Sequence, residues 1–344
     1  MPSTLRRGTP LLLALALLAA PVAGQNRERV ETVNQSRWTH STVNNGHRLE
    51  IRGTGRVEFN DAGDWVTGLS SDGRMVVEEE GRGPERRAEF RPSGDGVRVT
   101  YAVDGRERAM DREGEAWLRR VIGHAVRESG LGAEGRVARI RSRRGVGGVL
   151  EEIGRIRSGV GKRMYFNALF AGAPLSEGEY VRAMREVGRI DSDVEKRLVL
   201  SQAVREADSG ARLAALLSTT EMIDSDVETR LVLAQVTSRH ELDDAAVRNA
   251  FFSAVDGMDS GVERRLVLSP VLGRGNPSRA VILAALRATG EIGSDVEKRL
   301  VLMQLPRSRM DDEGISRAYM DVVRTMRSDT ERSLVLRHLA RGAR

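Results

Sequence analysis

From residue 156 to the C-terminus, apolar and polar positions recur in a fixed order every 33 to 35 residues. One copy reads Ile190-Asp191-Ser192-Asp193-Val194-Glu195-Lys196-Arg197-Leu198-Val199-Leu200. It returns from Ile223, Met258 and Ile292, with looser copies from Ile156 and Met326. The starts at 156, 190, 223, 258, 292 and 326 define six copies. Such a period marks a solenoid, in which each unit buries its apolar face only against its neighbours. Each copy divides into two helical stretches. The first carries three successive apolar residues, such as Leu198-Val199-Leu200, so a helix there needs contacts on more than one side. The second is amphipathic, with Tyr180, Met184 and Val187, then Leu213, Leu216 and Leu217, then Val247, Phe251 and Val255 at helical spacing.

Helix starts are written into the repeat. Ser192 with Glu195, Ser225 with Glu228, Ser260 with Glu263, Ser294 with Glu297 and Ser328 with Glu331 each form Ser-x-x-Glu ahead of the apolar run. In a capping box the serine hydroxyl accepts from the amide three residues on, while the glutamate returns to the serine's own amide. The Ile156 copy has Gly161 in place of the glutamate, which predicts a looser start. Ser176 with Glu179, Asp243-Asp244 and Pro277 after Asn276 signal starts of second helices. Asp193 and Arg197, four apart, share a helix face, as do Asp226 with Arg230 and Asp295 with Arg299; Arg265 holds the same place in its copy. These charges can pair within a helix or reach the next repeat. The resulting ladder reads either as an anion-binding stripe or as inter-repeat ion pairing. Pairing is the expectation, because residues shared by all copies serve stacking whereas recognition of a partner needs variation. Asp191-x-Asp193-x-Glu195 is no calcium loop: Lys196 and Gln202 stand where an EF-hand needs glycine and glutamate.

Upstream the periodicity changes to two. Arg48 to Ile51, Arg56 to Phe59, Arg74 to Val77 and Val97 to Tyr101 each suit a strand with one buried face, with Asp72-Gly73 and Asp104-Gly105 as tight hairpin turns. Trp117, Leu118, Val121 and Ile122 then form the apolar stripe of a helix that can cover the sheet. The expected fold class is α+β: a small antiparallel β-meander domain followed by an all-α solenoid of helix-pair repeats. Its expected bounds are 38–110 for the β domain, 111–155 for a helical connector and 156–344 for the six repeats.

Two helices in about 34 residues resemble the HEAT and tetratricopeptide class of solenoids, although the tetratricopeptide Trp, Gly-Tyr and Pro signature is missing. The order of β module, helix and repeats, with Gly55-Arg56-Val57-Glu58-Phe59, Leu69-Ser70 and Asp72-Gly73, also resembles the extracytoplasmic tail of antirepressor-type membrane metallopeptidases. No peptidase activity carries over, since His124 is followed by Ala125-Val126-Arg127-Glu128 and no His-Glu-x-x-His exists.

The first residues read as an export signal: Arg6 and Arg7, the apolar run Leu11 to Ala20, then Val22-Ala23-Gly24 at a cleavage site. The expectation is a signal peptide over 1–24, a linker over 25–37, and a periplasmic or secreted product without a membrane span after cleavage. Cleavage removes two of the 55 basic residues and lowers the net charge from +6 to +4. That near-balance argues against a nucleic-acid partner despite the pI of about 10.2. The absence of cysteine excludes disulfides and thiolate metal sites.

No cofactor and no metal is expected. His40 and His47 read as solvated histidines at strand edges. Five scattered histidines, no Gly-x-Ser-x-Gly and no phosphate loop leave the common catalytic arrangements without their parts. The function expected is therefore that of a non-catalytic exported module binding a protein or peptide partner of the cell envelope through the solenoid surface. The alternatives are a polyanion or glycan binder using Arg139, Arg141, Arg143 and Arg144, and a paired-carboxylate hydrolase.

Overall fold

The computed structural model describes residues 27–34, 37–44, 46–81, 83–94, 96–273 and 275–340; the expected signal peptide lies outside them. Nine strands come first: β1 (Arg27–Asn34), β2 (Arg37–Asn44), β3 (His47–Thr54), β4 (Val57–Phe59), β5 (Val66–Leu69), β6 (Arg74–Glu80), β7 (Arg86–Ser93), β8 (Gly96–Val103) and β9 (Arg106–Arg108). Seven of them form one antiparallel sheet in the order β1-β2-β3-β6-β7-β8-β9, and β4 pairs β5 apart from it. Alternation puts Ile51, Met75, Val77, Ala88, Phe90 and Tyr101 on one face, where they meet Trp117, Leu118, Val121 and Ile122 of α1 (Arg112–Ser129) in a single core. The protein is thus α+β, an antiparallel sheet domain followed by a helical repeat region.

Three expectations change here. β1 occupies part of the stretch expected to be a linker. Asp72-Gly73 joins strands of two different sheets, and Gly73 does not take positive φ. It is glycine because an added Cβ would lie 2.8 Å from the Ser70 carbonyl oxygen. Asp104-Gly105, at φ 50° and 72°, does close the β8–β9 hairpin. His40 is not a solvated edge residue: β2 has partners on both sides, and the ring is fully buried on the α1 side of the sheet. There it meets His124 edge-on, centroids 6.3 Å apart. His47, at the β2–β3 turn, is part-exposed and contacts Glu79 at 2.9 Å.

The helices follow as α2 (Ala133–Arg155), α3 (Gly159–Ala171), α4 (Glu177–Gly188), α5 (Asp193–Ala203), α6 (Gly210–Thr220), α7 (Asp226–Arg239), α8 (Ala245–Asp256), α9 (Gly261–Gly273), α10 (Arg279–Gly290), α11 (Asp295–Leu302), α12 (Glu313–Thr325) and α13 (Asp329–Ala340). Gly145, at φ 66°, breaks α2. First helices α3, α5, α7, α9, α11 and α13 pack side by side as one layer, and second helices α4, α6, α8, α10 and α12 as another. A continuous core runs between the layers from Ala133 to Val335. The stretch 111–155 is therefore divided, α1 belonging to the sheet's core and α2 to the solenoid's. The sixth copy contributes only α13 among the described residues, so the copies make five pairs and one further helix, with α2 packed ahead of them.

The start of every copy is a buried anchor: Ile156, Ile190, Ile223, Met258, Ile292 and Met326 all lie in the core. Second-helix starts are capped by Ser176, Ser209, Asp244, Ser278 and Asp312. The cap of α10 is thus Ser278 rather than Asn276 or Pro277.

Candidate interaction surface

The repeated charges act between copies. Ser192, Ser225, Ser260, Ser294 and Ser328 each accept from the amide three residues on, at 3.3 to 3.5 Å. The glutamates do not return to the serine amides as a capping box requires; among the described residues only Ser176 with Glu179 closes both bonds. Instead each glutamate accepts from an arginine one repeat earlier. Arg197 donates through Nε to Glu228 at 2.6 Å, and Arg163, Arg230, Arg265 and Arg299 do the same to Glu195, Glu263, Glu297 and Glu331. A guanidinium in reach is a better partner for a carboxylate than a neutral amide.

The serine amides are served by the aspartates. Asp193 accepts from the Ser225 amide at 2.9 Å, Asp226 from those of Asp259 and Ser260 at 3.0 and 2.6 Å, and Asp295 from those of Arg327 and Ser328 at 2.7 Å each. So Asp193 and Arg197 diverge, one to the next copy's backbone and the other to its glutamate. Gly159 and Gly261 replace the aspartate in two copies and make no such bond. At the head of the stack Glu128 of α1 takes over, accepting from the amides of Arg157 and Ser158 at 2.9 and 2.8 Å. The first copy is thereby joined to the sheet domain by the link that elsewhere joins repeat to repeat.

A third device escapes a reading by sequence. The chain's three lysines, Lys162, Lys196 and Lys298, share one repeat position. Each ammonium turns to the C-terminal end of its own second helix: Lys162 donates to the Arg189 carbonyl at 3.0 Å, Lys196 to that of Met222, and Lys298 to the Thr325 hydroxyl at 2.8 Å. A cation there complements the helix dipole. Arg264 holds this position in its copy and donates to the Glu291 carbonyl at the end of α10 at 3.4 Å, and also back to the carbonyls of Asp256 and Met258 at the end of α8. The signal was present in the sequence as lysine confined to one register of an arginine-rich chain.

What stacking leaves uncovered is equally regular. On α5, Lys196, Val199, Leu200 and Ala203 are buried, and half a turn away Val194, Leu198 and Ser201 form one line on the open face, with Arg205 just past the helix in the 3-10 turn Val204–Glu206. Val194, Val227, Val262 and Val296 are each between 43 and 47 % exposed, with Leu198, Leu231, Leu266 and Leu300 one turn further on. Met164 and Leu334 extend the row onto α3 and α13, both exposed. An apolar band therefore crosses the first-helix layer beside the arginine–glutamate ladder. Beyond it, at the C-terminal ends of the same helices, the lining changes from copy to copy.

The other charged groups are largely engaged within the chain. Arg139 and Arg143 approach Asp61 at 3.4 and 3.5 Å, Arg144 pairs with Glu151, and Arg141 donates to the Pro174 carbonyl at 3.3 Å. On the sheet's outer face Arg74, Arg87 and Arg91 surround Glu89, and the bond from Arg74 contributes most to holding that carboxyl down at about 2. Nearby, Arg37, Arg52, Arg74 and Arg87 line a cleft of about 400 Å³ together with Val76. Among the described residues no three His, Asp or Glu side chains are grouped to hold a metal ion, and no helix is long and apolar enough to cross a membrane.

No protein-family model, curated protein or solved structure matches the chain.

Proposed function

We propose that this chain is an exported, non-catalytic interaction module of the cell envelope, which holds a protein or peptide partner on the open face of its first-helix layer. The observation that carries this reading is the row Val194, Val227, Val262 and Val296. Four of the six copies keep at this position an apolar side chain that the stack leaves nearly half exposed. Exposed apolar side chains scattered singly mean little, but a continuous row is the kind of surface that partners cover. The leader-like start, with Arg6, Arg7 and the run Leu11 to Ala20, supports export to the periplasm or beyond. The HEAT or tetratricopeptide likeness of the repeats supports binding along the stack. In this reading the sheet domain orients the stack, as the likeness to a metallopeptidase's extracytoplasmic tail suggests.

The test places a photo-activatable benzophenone residue at Val227 or Val262 in the full chain and irradiates it with the envelope fraction. A discrete adduct that saturates, and that is lost when Val194 and Val296 are changed to Asp, is the expected result. Irradiation without any discrete adduct from either position overturns the reading.

The sheet's outer face favours one second reading, a polyanion or glycan site at Arg37, Arg52, Arg74 and Arg87. Retention on a heparin column that weakens steeply with salt and is lost in Arg52→Gln with Arg87→Gln is its expected signature.

A further inference from the structure

We propose that the cleft between α5 and α7 receives a carboxylate of the partner peptide, clamped by Arg205 and Arg239; this rests on the interaction reading above and gives it a recognition site. The cleft measures about 380 Å³, opens on the same face as the apolar band, and has Leu198 at its apolar edge. Its other lining groups are Ser201, Gln202, Gln235, Ser238 and the two arginines, with no acidic side chain among them. The ladder is built the other way. The ladder arginines Arg163, Arg197, Arg230, Arg265 and Arg299 each face a glutamate, and even the arginine-rich stretch before α3 is engaged with Asp61 and Glu151. Arg205 and Arg239 are exposed and make no ion pair or hydrogen bond within the described chain.

The hydroxyl of Ser201 makes the same point from the buried side. Its Oγ is shut off from solvent and has no hydrogen-bond partner, so it is a polar group the stack itself does not use. Amide, hydroxyl and guanidinium donors thus border one space with nothing of opposite charge inside.

Stacking does not account for these residues, because they vary where the scaffold does not. In the register of Arg205 the other copies have Ala171, Ser238, Gly273 and Arg307, and in that of Gln202 they have Ala168 and Pro270 besides Gln235 and Gln304. Among the described residues only the α5–α7 junction combines two unpaired arginines with two glutamines. Planar guanidinium groups fit a carboxylate's two oxygens, and two of them together favour a full negative charge over a carbonyl. A peptide that laid apolar side chains along Val194 and Val227 would carry an acid into this cleft, either a glutamate or aspartate or its own C-terminus.

Titration calorimetry of the full chain with three pentapeptides of alternating leucine and a polar residue separates the possibilities. One carries internal glutamates and an amidated end, one carries glutamines and a free terminal acid, and one carries glutamines and an amidated end. At least one acidic peptide is expected to bind tenfold or more tightly than the neutral one, and which one does so identifies the source of the carboxylate. R205Q with R239Q should remove that preference tenfold or more, with the helical circular dichroism unchanged, while R307Q should keep it. Absence of binding, equal binding of all three peptides, or an acid preference that survives R205Q with R239Q overturns the proposal. A heparin tetrasaccharide that binds these arginines more tightly than either acid overturns it too, in favour of a polyanion site. If the Val227 adduct persists while the acid preference is absent, only the carboxylate assignment falls. If the adduct itself never forms, the interaction reading falls with it.

Discussion

Burying an imidazole ties folding to pH. His40 lies fully inside the sheet domain, and burial first, then the neighbouring His124, pushes it from the usual 6.5 down to about 4. An unfolded chain therefore takes up a proton at His40 on acidification through pH 6.5, while the folded chain holds the ring neutral until about 4. Stability from this residue is complete above 6.5 and is lost progressively across that window, by up to about 3 kcal/mol. All three tryptophans belong to the sheet domain, Trp38 on β2, Trp65 in the bend before β5 and Trp117 on α1, so their emission follows this domain alone. Urea midpoints read from tryptophan emission should fall between pH 7 and 4 in the native chain and fall less in His40→Gln. Equal slopes would exclude His40 as the source. The burial was not legible in sequence, because it depends on β1 covering β2. The β1 segment Arg-Glu-Arg-Val-Glu-Thr-Val-Asn is charged at four of its eight positions and reads as a linker.

At the scale of the helix, the repeat's period was legible because the same residues return every 33 to 35 positions, and its serine caps because donor and acceptor lie three residues apart. The partners of Glu228 and Asp226 were not. Arg197 lies 31 residues before its glutamate and Asp226 34 before the Ser260 amide, distances along the chain that only the stacking of like helices closes. Two measurements probe these links. A double-mutant cycle on Arg230 and Glu263, both about three-quarters or more buried, should give a coupling of about 0.5 to 1 kcal/mol that weakens in high salt. A coupling indistinguishable from zero would make the ladder ornamental. Glu128→Ala, which strips the acceptor from the Arg157 and Ser158 amides, should cost about 1 to 3 kcal/mol, with Glu128→Gln losing less. If alanine and glutamine behave alike, the carboxylate's bonds to those amides contribute little.

Across the whole molecule, two cores meet at the turn between α1 and α2, one held by a sheet of mostly neighbouring strands and the other by contacts that never reach past the next repeat. Guanidinium unfolding followed by tryptophan emission and by helical circular dichroism on one sample should therefore give two midpoints, the first reporting the sheet domain and the second the stack. Coincident curves would mean that Glu128 and its surroundings couple the two into one unit. The placement of lysine has a practical side as well. Lys196 and Lys298 keep their ammonium groups buried between first and second helices, whereas Lys162 is partly open. An acylating reagent should label Lys162 within minutes and the other two only when a helix pair parts, so the masses of three tryptic fragments time the opening of the stack at two separate points. The chain is in this sense furnished with its own footprinting clock, set by where its few amines are hidden.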